Sequence, residues 1–177
     1  CKRVVEVHND RFDVDPKYGG PEYETLGAFG SNLGLDDIEL VAKANERCNA
    51  LGMDTISAGM TISFAMDCYE RGLIGNRETG GLALRFGSAD ALLPLLEAIA
   101  QREGFGALLA EGSERAAQVI GQGSETLLRN AKGQEAPMHD PRVKTGLGLQ
   151  YALGSYGADH WTAQHDPLFA QAGSPSL

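Results

Sequence analysis

Two carboxylates, Glu22 and Glu24, stand close together in the loop Gly20-Pro21-Glu22-Tyr23-Glu24-Thr25. In a Gly/Pro loop such a pair, taken alone, reads as a solvated turn. Further on, Asn49-Ala50-Leu51-Gly52-Met53-Asp54-Thr55-Ile56-Ser57 joins the end of one expected helix to the start of another. The N–H groups of Thr55, Ile56 and Ser57 then point out of a helix start, which favours an anionic or acceptor-rich ligand. Asn49 and Asp54 add polar atoms on either side of the same corner. A carboxylate accepting two parallel N–H bonds suits the edge of an aminopyrimidine. The plainer alternative is that Asp54 caps its own helix and Asn49 faces water.

The histidines are His8, His139, His160 and His165. His160 and His165 are not at helical spacing, and neither HExxH nor HxxxH occurs, so a zinc hydrolase site is not expected. A lone histidine is either structural or a hydrogen-bond donor at a reaction centre. His139-Asp140-Pro141-Arg142 reads first as structure, because an Asp–Arg pair in a turn is common. Cys1, Cys48 and Cys68 form no CxxC pair, so no disulfide framework and no complete zinc or iron–sulfur site is legible. Cys48 and Cys68 fall on apolar helical stripes and are expected to pack.

The elements that must carry these residues are mostly helical. Val4, Val5 and Val7 form a short β-type run that ends at Asn9-Asp10-Arg11. Asp36 is the expected N-cap of a helix whose stripe is Ile38, Val41, Ala44, Cys48 and Leu51, with Gly52 as its left-handed stop. Asp54 caps a second helix running to about Arg71 and closed by Gly72. Ser88 opens a third through Leu92, Leu95, Leu96 and Ile99; Pro94 implies a later start or a kink. Gly106 to Ile120 is one helix weakened at Gly112 or two short ones. A helical turn at Ser124 to Leu128, an extended loop from Lys132 to Pro141, and a return to helix within Arg142 to Tyr156 complete the expectation. The fold class is mainly α, multihelical, with one short β element near the N-terminus.

Composition sets bounds on function. The 177 residues are 42% hydrophobic, enough for a real core, and carry 15 basic against 24 acidic side chains, a net charge of −9. That charge argues against nucleic acid as a partner. No apolar run approaches the roughly 20 residues that cross a bilayer, so no membrane role is expected. The cysteine usage fits a reducing, cytoplasmic compartment. The chain opens on Cys1 without an initiator Met, as expected of a piece of a longer protein. Glycine-rich nucleotide loops after a strand and a Gly-x-Ser-x-Gly elbow are both lacking.

Taken in order, Gly20-Pro21-Glu22-Tyr23-Glu24-Thr25, Asn49-Ala50-Leu51-Gly52-Met53-Asp54-Thr55, Lys132-Gly133-x-Glu135-x-Pro137-x-His139-Asp140-Pro141-Arg142 and Gly157-Ala158-Asp159-His160 resemble the tungsten-containing aldehyde:ferredoxin oxidoreductase family. The resemblance covers nearly the whole chain. It implies that Asn49, Gly52, Asp54 and Thr55 belong to a motif binding one pterin of a tungsten (or molybdenum) bis-pterin cofactor. The family motif is Asp-x-x-Gly-Leu-Asp; Asn49 keeps an acceptor oxygen where the family has a charge. It implies that Glu24 faces the metal and exchanges protons with substrate or water, with Glu22 a structural neighbour. His160 would lie beside the metal and donate a hydrogen bond to the carbonyl oxygen. Cys1 matches the third cysteine of a Cys-x-x-Cys-x-x-x-Cys run that, with a distant fourth, holds a [4Fe–4S] cluster; alone it is a partial metal site. Glu-x-x-His, through which some relatives hold a lone metal between subunits, does not occur.

The resemblance further implies an incomplete helical middle domain over residues 1–130 and the start of a C-terminal helical domain over 131–177. The implied activity is oxidation of an aldehyde to a carboxylic acid with water, electrons passing through pterin and cluster to ferredoxin. Partners would be the aldehyde, ferredoxin, and a second copy or an electron-transfer subunit. This piece alone would hold no complete cofactor and would be inactive. Two other readings stand beside it. One is the tungsten subunit of a benzoyl-CoA reductase-like enzyme of the same family; the other is a noncatalytic helical scaffold or interaction domain.

Overall fold

The stripe that begins at Ile38 does form a helix, and its ends explain the corner that follows. In the computed structural model, which describes residues 3–162 and 166, this helix is α2, Ile38–Leu51, preceded by α1, Tyr23–Phe29. Asp37, not Asp36, is the cap: its carboxylate accepts from the N–H groups of Glu39 and Leu40, a register one residue later than the apolar pattern indicates. At the other end Gly52 is left-handed (φ 72°). Its N–H bonds to the carbonyl of Asn49, and the Met53 N–H to that of Cys48 at 2.8 Å, so two of the four carbonyls left open by the helix end are satisfied. The chain turns at once into α3, Thr55–Glu70, capped by Asp54, whose Oδ2 accepts from the Ser57 N–H at 2.7 Å. That N–H is therefore already taken.

Helix α3 is the centre of the molecule. Ile62, Ala65, Met66 and Cys68 are fully buried and Thr61 and Phe64 nearly so, so the helix has no solvent stripe of its own. Gly59 lets α1 lie directly on it: a Cβ there would stand 2.7 Å from the carbonyl oxygen of Ala28. Helix α4, Ala89–Gln101, adds Leu92, Leu95, Leu96 and Ile99 to the same core. It begins at Ala89 and runs through Pro94, which lies on the exposed side, where the carbonyl deprived of its donor can meet water. Each fully buried leucine or isoleucine here contributes roughly 1.5–3 kcal/mol. Gly112 (φ 87°) divides the next stretch into α5, Gly104–Leu109, and α6, Ser113–Ile120.

Two small hairpins complete the described residues, where one β element was expected. Strands β1 (Val7–His8) and β2 (Asp13–Val14) pair antiparallel. So do β3 (Asn130–Ala131) and β4 (Gln134–Glu135), joined by Lys132 (φ 55°) and Gly133 (φ 81°), the twisted two-residue turn that suits tight hairpins. With two residues per strand, neither hairpin shows a hydrophobic alternation that sequence could reveal. Glu135 fastens the second hairpin to the core: its Oε1 accepts from the Ser113 N–H and Oγ, each at 2.9 Å, and from Thr61 Oγ1 at 3.3 Å. Helix α7, Thr145–Leu153, closes a separate small cluster of Leu147, Tyr151 and Ala158. The architecture is mainly α, and no helix among the described residues is long and apolar enough to cross a membrane.

Candidate functional site

The corner between α2 and α3, the first turn of α1 and the segment after α7 enclose one cavity of about 240 Å³. Glu24, Asn49, Asp54, Thr55 and His160 all line it, as does Glu22. Gly52 does not line the cavity; its left-handed turn sets the corner that does. Cys1 lies outside the described residues.

Each wall has a local cause. The corner is fixed by the Gly52 stop and the Asp54 cap. It is tied to α1 by the Thr25 and Thr55 hydroxyls, 2.8 Å apart. Asn49 donates to the Asn45 carbonyl at 2.8 Å through its amide nitrogen, so its side-chain oxygen remains as an acceptor. His160 arrives from the far end of the chain because Gly157 (φ 79°) lies so close to the Ala131 carbonyl that any Cβ would overlap it. Lys132 Nζ also donates to the Gly154 carbonyl at 2.6 Å, fastening the same segment to the hairpin turn.

Glu24 is the pivotal side chain. Its residue is only 5% exposed. Oε2 accepts from the Met138 N–H at 2.7 Å. Oε1 lies 3.0 Å from Nε2 of His139 and 3.8 Å from Nε2 of His160, yet it has no formed hydrogen bond, because the His139 nitrogen is aligned on the Tyr23 hydroxyl instead. The imidazoles of His139 and His160 are 4.9 Å apart and tilted by 37°. Burial first, then the neighbouring Glu24 carboxylate, pushes the Tyr23 phenol upward. Burial likewise pushes Tyr151 up to about 12.

His139 and Tyr23 are therefore part of this site, which residue patterns alone did not indicate. Asp140 and Arg142 do pair, at 2.6 Å, and the guanidinium holds Asp140 down to about 2. Their neighbour, however, turns inward to Glu24. The motif match at His139 was the available signal; the visible Asp–Arg turn masked it.

Glu24, His139 and His160 each place one ligand-type atom within 4.8 Å of the others, the spacing of a cation site. Nδ1 of His139 stands 2.8 Å from Lys144 Nζ. An ammonium only donates, so Nδ1 accepts and the ring proton is on Nε2, where no lone pair remains for a metal. The donor set fits a larger polar ligand better: acceptor oxygens of Asp54 and Asn49 at one end, a buried carboxylate and an imidazole at the other.

The family model described as aldehyde ferredoxin oxidoreductase, domains 2 & 3, matches residues 1–175. The tungsten-containing aldehyde ferredoxin oxidoreductase of Pyrococcus furiosus is 44% identical over 142 residues, 80% of this chain and 23% of the relative. The protein of that name from Thermococcus kodakarensis is 40% identical over the same length and shares. The WOR-like subunit of aliphatic sulfonate oxidoreductase from Pyrococcus furiosus is 32% identical over 146 residues, 79% of this chain and 23% of the relative. Among solved structures, the BamBC active-site complex of benzoyl coenzyme A reductase with 1,5 dienoyl-CoA superposes with a TM-score of 0.63 at 27% identity. It covers 74% of this chain and 20% of that one. The chain thus spans less than a quarter of the length of these relatives. On the family match and these identities together, it belongs to the aldehyde ferredoxin oxidoreductase family of oxidoreductases.

Proposed function

We propose that this chain forms one wall of the reaction chamber in a tungstopterin enzyme that oxidises an aldehyde to a carboxylic acid. The observation that carries the reading is the buried Oε1 of Glu24, without a formed hydrogen bond, on a cavity it shares with Asp54, Asn49 and His160. Asp54 and Asn49 present acceptors complementary to the N–H edge of a pterin, and the Thr55 end of α3 adds the positive pole of a helix. When bound, such a cofactor supplies the two-electron redox chemistry.

The chain's own residues would manage substrate and protons. His160 would donate to the aldehyde oxygen and stabilise the negative charge that grows there. Glu24 would take a proton from water as its oxygen is added to the carbonyl carbon, with Met138 N–H holding the other carboxylate oxygen in place. Aldehyde and water give carboxylic acid, two protons and two electrons. In the full-length protein Cys1 would be one thiolate ligand of a [4Fe–4S] cluster, which would supply one-electron transfer chemistry toward ferredoxin.

The structural likeness to a benzoyl coenzyme A reductase keeps a second reading in play, the same helices serving a reductive enzyme. The higher identity to aldehyde ferredoxin oxidoreductases favours oxidation. The test is tungsten and pterin analysis of the full-length protein, prepared anaerobically, with turnover assays against aldehydes and against benzoyl-coenzyme A. Tungsten with aldehyde oxidation supports the proposal. Absence of both metal and pterin would overturn it in favour of a scaffold.

A further inference from the structure

The Glu24 carboxylate is surrounded by groups of which the reading above uses only His160. Its own helix supplies Tyr23, the segment after the second hairpin supplies His139 and Lys144, α7 supplies Tyr151, and the last described stretch supplies His160. Three of them form a chain with a definite direction. Lys144 Nζ lies 2.8 Å from Nδ1 of His139, and since lysine has only protons to give, that nitrogen is the acceptor. The proton of the neutral ring is then on Nε2. Nε2–H faces the Tyr23 hydroxyl and stands 3.0 Å from Glu24 Oε1. The Tyr151 hydroxyl holds the backbone of the same residue, 3.3 Å from the His139 carbonyl.

The tautomer decides what Glu24 meets. With hydrogen on Nε2, the carboxylate sees the positive edge of the ring. With hydrogen on Nδ1, it would see a lone pair at 3.0 Å in a buried site, where repulsion is poorly screened. The ammonium on the far side of the ring excludes the second arrangement.

Resting on the reading of Glu24 as a proton-handling group, we propose that His139, locked by Lys144 with its proton on Nε2, is a positioning residue that holds the Glu24 carboxylate in its place beside His160. His139 itself touches no reacting atom. This is the logic by which the partner on one imidazole nitrogen fixes the behaviour of the other.

The experiment uses the full-length enzyme with Lys144→Met, Lys144→Arg, His139→Phe and His139→Gln. Lys144→Met and His139→Phe should lower kcat for aldehyde oxidation roughly 10- to 100-fold with KM little changed and tungsten content retained. Lys144→Arg still donates to Nδ1, and His139→Gln keeps an N–H near the Nε2 position, so each should recover much of the loss. A second readout is independent of turnover. In cofactor-free full-length protein, the carboxyl infrared band assigned to Glu24 by its loss in Glu24→Gln should shift in Lys144→Met and stay in Lys144→Arg. Unchanged kcat in His139→Phe overturns the proposal. So does equal loss in all four variants accompanied by loss of tungsten, which would mark a merely structural role. If Glu24→Gln itself keeps full activity, it is the functional reading that fails.

Discussion

The backbone N–H of Met138 donates to Oε2 of Glu24 at 2.7 Å, a bond spanning 114 residues of chain. It joins the acidic loop near the start to the segment after the second hairpin. One carboxylate oxygen is thereby immobilised while the other lies beside two imidazoles, 3.0 Å from Nε2 of His139 and 3.8 Å from Nε2 of His160. An amide at position 24 would keep the first contact and lose the second function. Glu24→Gln should therefore fold, retain tungsten, and lose aldehyde oxidation by at least about 100-fold. His160→Ala should do the same through loss of a donor rather than a base. Steady-state kinetics with metal analysis on both variants checks this, and wild-type turnover in both would remove these residues from the chemistry.

Asp54 has two separable roles. As the cap of α3 it accepts from the Ser57 N–H, and as a cavity residue it offers a charged acceptor. Asp54→Ala should cost about 1 kcal/mol of stability from the lost cap and should also reduce bound pterin. Asp54→Asn should keep the stability while still losing pterin, because an amide caps nearly as well but carries no charge. Urea unfolding and pterin fluorescence after oxidative release measure the two effects independently.

Gly59 is where α1 and α3 touch. A Cβ there would lie 2.7 Å from the Ala28 carbonyl oxygen and 2.8 Å from the Ala28 Cβ. Gly59→Ala should destabilise the fold by about 1–3 kcal/mol despite the better helix propensity of alanine. Because α1 carries Glu24 and α3 carries the corner, the same change should lower cofactor content. Chemical denaturation of the variant, with tungsten analysis, is the check.

The two buried cysteines should be inert. Burial pushes the thiols of Cys48 and Cys68 from an ordinary value of 9.0 up to about 12 and about 11, so both are neutral at pH 8. Iodoacetamide should leave their peptides unmodified in native protein and label them after unfolding. These folded values are raised. Their stabilising contribution is therefore complete below pH 9 and is lost as pH rises, toward 11 for Cys68 and toward 12 for Cys48.

Sequence by itself determined the helices and the corner. The Ile38-to-Leu51 stripe, Gly52 and Asp54 are local signals: periodicity, a left-handed stop and a capping carboxylate act within a few residues and leave their mark in residue type. The same locality makes them imprecise by a residue, as at Asp37. Motif resemblance supplied the family, and with it the expectation that Glu24, Asp54 and His160 would face one another. Tertiary structure alone decided what stands around Glu24. The second hairpin has two residues per strand, too few for an alternation, yet its Glu135 anchor sets where Met138 and His139 fall. The Tyr23–His139–Lys144 chain depends on a contact between residues far apart in sequence, Tyr23 and His139, each polar and individually ordinary. No local pattern encodes such a contact, because its stability comes from excluding water around groups that only the packed helices bring together.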